Sequence, residues 1–166
     1  MDDFFELLKC DLEMIQIRVM SPSSPDAAWC LEQYFLELGR RFDSGFNPSL
    51  TLPASAADMT PPCGLFLVAY LREKPVGCAG LKFYIESKIG MIKRMWVAPE
   101  ARGQGFGRRM LNELELRAKA AGISILRLET NQTLKEAIDL YRKSGYREVA
   151  PFNDELYADF WFEKRI

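Results

Sequence analysis

Apolar positions along the chain recur on two spacings, and the order in which these change lays out the elements. Phe4, Leu8 and Leu12 recur at helical spacing behind Asp2 and Asp3, which predicts a short N-terminal helix over 1–12. Residues 14–20 alternate as a strand does, and the run Ser21-Pro22-Ser23-Ser24-Pro25 ends them. Asp26 opens a helix that Trp29, Leu31, Tyr34, Phe35 and Leu38 carry to about Arg41. The stretch 42–64, rich in Pro, Ser and Ala, predicts a long loop with one helical turn near 54–59. Three strands follow at 65–71, 76–85 and 89–97, with turns at 72–75 and 86–88, and read as an antiparallel meander.

Beyond Pro99 the rhythm changes to helix (107–121), strand (123–130) and helix (133–144). Gly122 and Gly145 stand where helices end in a left-handed residue, and Thr133 with Glu136 has the spacing of a capping box. Strands at 147–149 and 158–163 close the chain. The pattern predicts a single α/β domain over 1–166. Its mixed, mostly antiparallel sheet has six to seven strands, with helices on both faces.

Composition narrows the chemistry. With 166 residues, 48% of them hydrophobic, the chain is long enough to bury a core without staples. Its 22 basic and 23 acidic side chains leave a net charge of −1, which gathers neither nucleic acid nor anionic lipid. The expectation is no nucleic-acid partner and no membrane partner. An anionic ligand must be held by a local site. No stretch approaches the ~20 apolar residues of a membrane helix, and the acidic start is unlike a signal peptide. A cytoplasmic address is expected.

The four cysteines, Cys10, Cys30, Cys63 and Cys78, form no C-x-x-C pair and are expected to be free thiols. No metal site is expected. There is no histidine, which excludes Ser-His-Asp, Cys-His and every other histidine-based acid–base scheme. Proton transfer falls to carboxylates, tyrosine, lysine or backbone.

The segment Ala98-Pro-Glu-Ala-Arg102-Gly-Gln-Gly105-Phe-Gly107-Arg-Arg joins a strand to a helix. Three glycines in five positions let backbone N–H groups converge at a helix N-terminus, where the dipole favours an anion. A pyrophosphate suits such a cradle, with Arg102 and Arg108 adding charge. The spacing fits neither G-x-G-x-x-G nor a Walker A loop.

Residues 95–111 around this loop resemble the acetyl-CoA loop of the GNAT superfamily of N-acetyltransferases. The family's Arg/Gln-x-x-Gly-x-Gly/Ala pattern is met by Arg102, Gly105 and Gly107. A second block, from Glu136 through Ala137 and Tyr141 to Gly145-Tyr146, resembles the family's Ala-x-x-x-Tyr-x-x-x-Gly-Phe/Tyr motif. The likeness extends over about 14–163.

What the resemblance implies is a sheet splayed at the cofactor site. Acetyl-CoA would be held by the backbone of Arg102, Gly103, Gln104, Gly105, Phe106, Gly107 and Arg108. The strand edge at Met95, Trp96 and Val97 would pair with the pantetheine arm, with a contact from Asn131. Tyr141 would protonate the departing thiolate, and a backbone N–H near Val97 would hold the oxyanion. The loop at 42–48 and the segment 151–154 would flank the acceptor. The chain departs from the family pattern twice: Met91 stands where many members carry a glutamate, and Leu134 where many carry an asparagine.

The residues themselves add a constraint on the acceptor. Glu86, Glu129, Asp154 and Glu155 are the carboxylates to examine as base or amine anchor. An α-amine, with pKa ~8, is about a tenth neutral at pH 7, whereas a lysine amine is ~0.04% neutral. That deficit of more than ~4 kcal/mol favours small α-amines at a site without a strong base. The expected reaction is direct attack of a primary amine on acetyl-CoA. The alternatives are a longer acyl group or an acyl-CoA-binding regulatory module without turnover, and a homodimer stays open.

Overall fold

The computed structural model describes Glu6 and residues 14–166, so the helix expected over 1–12 lies outside the described residues. One seven-stranded sheet runs in the order β1 (Ile15–Val19), β2 (Gly64–Leu71), β3 (Lys74–Tyr84), β4 (Ile89–Val97), β5 (Ile125–Thr130), β7 (Phe160–Arg165) and β6 (Arg147–Val149). Every neighbouring pair is antiparallel except β4 and β5. That pair is parallel because helix α2 (Phe106–Ala120) carries the chain back across the sheet between them.

The helices cover both faces. Cys78 and Gly77 are successive residues of β3 and so face opposite ways. On the face that carries Trp96, opposite Cys78 in register, α1 (Pro25–Arg41) sets Trp29 edge-on against it at 5.9 Å. On the other, a Cβ at Gly77 would lie 3.2 Å from Met110 of α2. Covered twice, β2 is buried along nearly its whole length, so its run Gly-Leu-Phe-Leu-Val-Ala-Tyr-Leu does not alternate. Helix α3 (Lys135–Lys143) packs Tyr141 on Phe162 of β7, and Gly107 leaves room for Leu140 to approach α2.

Three local expectations are corrected. The first hairpin turns at Arg72-Glu73 alone, both at positive φ (50° and 62°), so Lys74 and Pro75 belong to β3. This two-residue turn matches the strand twist, and Pro75 is tolerated because a bulge falls beside it. Next, the capping box at Thr133 does not form. Leu134 takes the N-cap position, and Arg41 of α1 claims both the Thr133 carbonyl and the Glu136 carboxylate. Last, 42–64 contains two short 3-10 turns, Pro48–Leu50 and Ala57–Met59, where one was expected. Gly122 and Gly145 adopt the left-handed conformation expected of them, with φ of 84° and 88°.

Candidate active site

The site begins where the sheet comes apart. Strands β4 and β5 pair only at Ile89–Ile125, Gly90–Leu126 and Met91–Arg127. Beyond Met91 a bulge inserts an extra residue into β4, where Arg94 takes a left-handed φ of 55°. A bulge bends its strand, and here β4 leaves β5 and stays with β3. The edge from Ile92 to Val97 is therefore without a strand partner on the β5 side. The Ala98 N–H donates to Val76 on β3, so the Val97 N–H and C=O point the other way, into the gap. The Val97 carbonyl accepts from Arg102 Nε at 3.0 Å.

A cleft of about 280 Å³ runs along this edge to the start of α2. Met95, Trp96 and Val97 form one wall, and Arg102, Gly103 and the Gly105–Arg108 run form the floor. Gly103 and Gly105 have φ of 77° and 84°, a conformation that turns successive N–H groups the same way. Gly105 is the N-cap of α2, so the first N–H groups of the helix open onto the cleft.

Not every residue expected here faces it. Trp96 and Phe106 line the cleft but are buried in the core, so neither ring is an exposed surface for a ligand. Gln104 is exposed and donates to the Glu100 carbonyl. Arg102 is already engaged: Glu37 of α1 accepts from its guanidinium at 2.6 and 2.7 Å. Arg108 is exposed at the mouth and has no ionic partner among the described residues.

A second cavity, of about 110 Å³, lies on the other side of Tyr141. The two share Tyr34, Leu38, Met95, Leu134, Ala137 and Tyr141 in their walls. Tyr141 is only 5% exposed, and burial, reinforced by the charge of Glu129, pushes its phenol well above the usual tyrosine range. Its hydroxyl has no hydrogen-bond partner among the described residues and is not sealed from the cavities. Tyr34 on α1, read from sequence only as an apolar position, shares the junction, and burial pushes it up likewise.

Asn131 lines this second cavity and not the cleft. Its amide donates to the Tyr157 carbonyl and accepts from the Thr133 N–H and hydroxyl, so it holds the turn into α3. Lys93 and Arg94, successive residues of β4, both line this cavity too. Lys93 pairs with Glu129 of β5 at 2.5 Å. Arg94 lies over the Phe35 ring, 5.3 Å from its centroid.

Of the four carboxylates singled out, Glu129 and Glu155 line the cavity. Glu155 is buried and accepts from the Thr51 hydroxyl and the Leu52 N–H, both at 2.8 Å, which ties down the loop. Glu86 and Asp154 are exposed and face neither cavity. Phe42 and Phe46 bring the 42–48 loop into the wall of this cavity, and from the C-terminal region the lining comes from Glu155, Tyr157 and Ala158, just past 151–154. Among the described residues, no group of three His, Cys, Asp or Glu stands close enough to hold a metal. Cys30 and Cys78 are buried free thiols, Cys63 an exposed one. No described helix is long and apolar enough to cross a membrane.

Comparison with known proteins agrees with this architecture. The acetyltransferase (GNAT) family profile matches residues 27–146. An "IAA acetyltransferase" of Azospirillum brasilense is 37% identical over 132 residues, which covers 80% of this chain and 84% of the relative. Among solved structures, an acetyltransferase of the GNAT family from Staphylococcus aureus Mu50 superposes with a TM-score of 0.75 at 17% identity, covering 91% of this chain and 98% of its own. N-acetylglutamate synthase from Neisseria gonorrhoeae, solved with coenzyme A and N-acetyl-glutamate, gives 0.64 at 17% identity, over 90% of this chain and 35% of the synthase. The chain belongs to the GNAT acetyltransferase family, a class of N-acetyltransferases that draw their acyl group from an acyl-CoA.

Proposed function

We propose that the protein transfers an acetyl group from acetyl-CoA to a primary amine by direct attack. The observation that carries the reading is the meeting of the two cavities at Tyr141, one running to the glycine cradle and the other walled by side chains. The pyrophosphate lies on the N–H groups of 103–108, and the pantetheine arm pairs with the free β4 edge at Met95–Val97. The thioester then reaches Tyr141.

The amine lone pair attacks the thioester carbon from the second cavity. The negative charge that develops on oxygen is met by the Val97 N–H, which points into the gap. As the C–S bond breaks, Tyr141 gives its proton to sulfur, and the phenol is restored from solvent. Burial makes the phenol a weaker acid, but the same dry surroundings raise the proton affinity of the thiolate beside it. The nitrogen loses its proton to Glu129, a carboxylate in the acceptor cavity whose charge is felt at Tyr141. The products are the N-acetyl amine and the free thiol.

The test is a panel of amines followed by thiol release from acetyl-CoA, with binding measured separately by thermal shift. At 100 times Kd acetyl-CoA should stabilise the fold by about 2.7 kcal/mol. NAD at the same concentration should do far less, and equal stabilisation by NAD would refute the cradle assignment.

A further inference from the structure

Arg94 is held at a cost that the fold alone does not explain. A side chain other than glycine at φ 55° inside a strand is strained, and such strain persists where a site requires it. The bulge it occupies aims the guanidinium into the acceptor cavity, where it stacks on Phe35. Half-buried there, it has no carboxylate partner among the described residues. The titratable groups nearest it, Tyr34 and Cys78, are neutral, and burial depresses the guanidinium as it would any uncompensated cation.

Apart from the exposed Arg108, the other charged side chains around the two cavities are provided for. Lys93 has Glu129, Arg102 and Arg41 have Glu37 and Glu136, and Glu155 has the Thr51 hydroxyl and the Leu52 N–H. An arginine withdrawn from water without a counter-charge is a poor stabiliser but a ready-made half of an ion pair. Its planar fork fits a carboxylate with two parallel hydrogen bonds. One part of the cavity wall is apolar and aromatic, with Phe35, Phe42, Phe46 and Leu52, while Glu129 and Glu155 stand elsewhere in the wall, each already holding its own partners.

We infer that Arg94 binds the carboxylate of the acceptor, so that the amine acetylated is that of an amino acid with an apolar side chain. This rests on the proposed amine acetylation and names its substrate class. The carboxylate completes the ion pair that the fold leaves open, the side chain lies among the aromatic rings, and the amine is turned toward Tyr141. Simple amines of the same shape leave Arg94 unpaired and bind poorly.

The experiment compares kcat/KM for free apolar L-amino acids with that for their amides and the matched decarboxylated amines, in the wild type and in Arg94→Met. The wild type should favour the amino acids by about 100-fold. Arg94→Met keeps the stem against Phe35, and should lower kcat/KM for amino acids by a similar factor while changing the amines only a few-fold. Equal wild-type rates for amino acid and amide would overturn the inference, as would an Arg94→Met loss that falls on both alike, the mark of a packing role. The wild-type comparison decides the matter even if the variant does not fold. Acetyl-CoA binding by calorimetry separates the two levels: an enzyme that binds acetyl-CoA and acetylates amines without regard to carboxylate refutes the anchor alone, and a protein that does not bind acetyl-CoA refutes both.

Discussion

The cleft along the free β4 edge is floored by one run of chain, Arg102 to Arg108, while Glu37 of α1 and Glu136 and Tyr141 of α3 add side chains to its walls. The acceptor cavity draws on α1, the 42–54 loop, β4, β5, the start of α3 and residues 155–158, and its chemistry lies in side chains. The first is fixed by φ angles and a helix end, so its ligand changes only if the loop geometry changes. The second is fixed by tertiary contacts such as the Phe42–Phe46–Tyr157 cluster, and single substitutions can reshape it. Under the function proposed above, one half of the site serves a constant donor and the other a variable acceptor, and Tyr141 lines both.

Removing the shared group should have the largest effect. Tyr141→Phe keeps the ring packing on Phe162 and deletes only the hydroxyl. Steady-state kinetics should show kcat down roughly 100-fold or more, with acetyl-CoA affinity nearly unchanged and stability altered by about 1 kcal/mol. Full activity would return the proton to water and leave the two cavities without a common catalytic group.

A somewhat smaller loss, about 10- to 100-fold at pH 7, is expected for Glu129→Gln, and it should depend on pH. With the base gone, rate should recover as pH rises toward the amine's own pKa, where the neutral nucleophile no longer needs help. A loss constant from pH 6 to 9 would show that Glu129 serves only its ion pair with Lys93.

Two glycines sharpen the comparison within the cleft. A Cβ at Gly105 meets nothing within 4 Å, but its φ of 84° strains any branched residue. Gly105→Val should weaken acetyl-CoA binding about 10-fold or more by calorimetry, leaving acceptor KM alone, with about 1–2 kcal/mol of strain. A Cβ at Gly107 would come 2.7 Å from the end of the Leu140 side chain, so Gly107→Val should force Leu140 into another rotamer and lower Tm by a few degrees at most. An unchanged acetyl-CoA Kd in folded Gly105→Val would remove the pyrophosphate from this loop.

The smallest effect should come from the other half. Phe46→Leu loosens the stack of Phe46 on Phe35 and should raise acceptor KM several-fold with acetyl-CoA Kd unchanged. A change in both constants would show that the cavities do not behave as separate units.

The same contrast explains what could be read from the chain. The strand at 89–97 and the glycine loop were legible because each is a local pattern: an apolar run stopped by a proline, then glycines at a helix start. Arg94 was visible only as the second half of a Lys-Arg pair. Neither its bulge nor its position over Phe35, a residue of another element, leaves a mark on the alternation. The Thr133 capping box was misread for a related reason. Asn131 holds the turn itself, and Arg41 from α1 outbids local capping for Glu136. Tyr34 looked like one more apolar position because nothing in α1 announces that the sheet opens opposite it.

The left-handed Arg94 also bears on how this protein can change. Glycine there would relax the backbone and remove an uncompensated cation from a half-buried place, so Arg94→Gly should leave a protein at least as stable as the parent. Selection for thermal robustness alone would erode this position, and a redesign guided by stability would replace it early. Its retention would have to be defended by activity, which makes position 94 a place where durability and discrimination between substrates trade against each other.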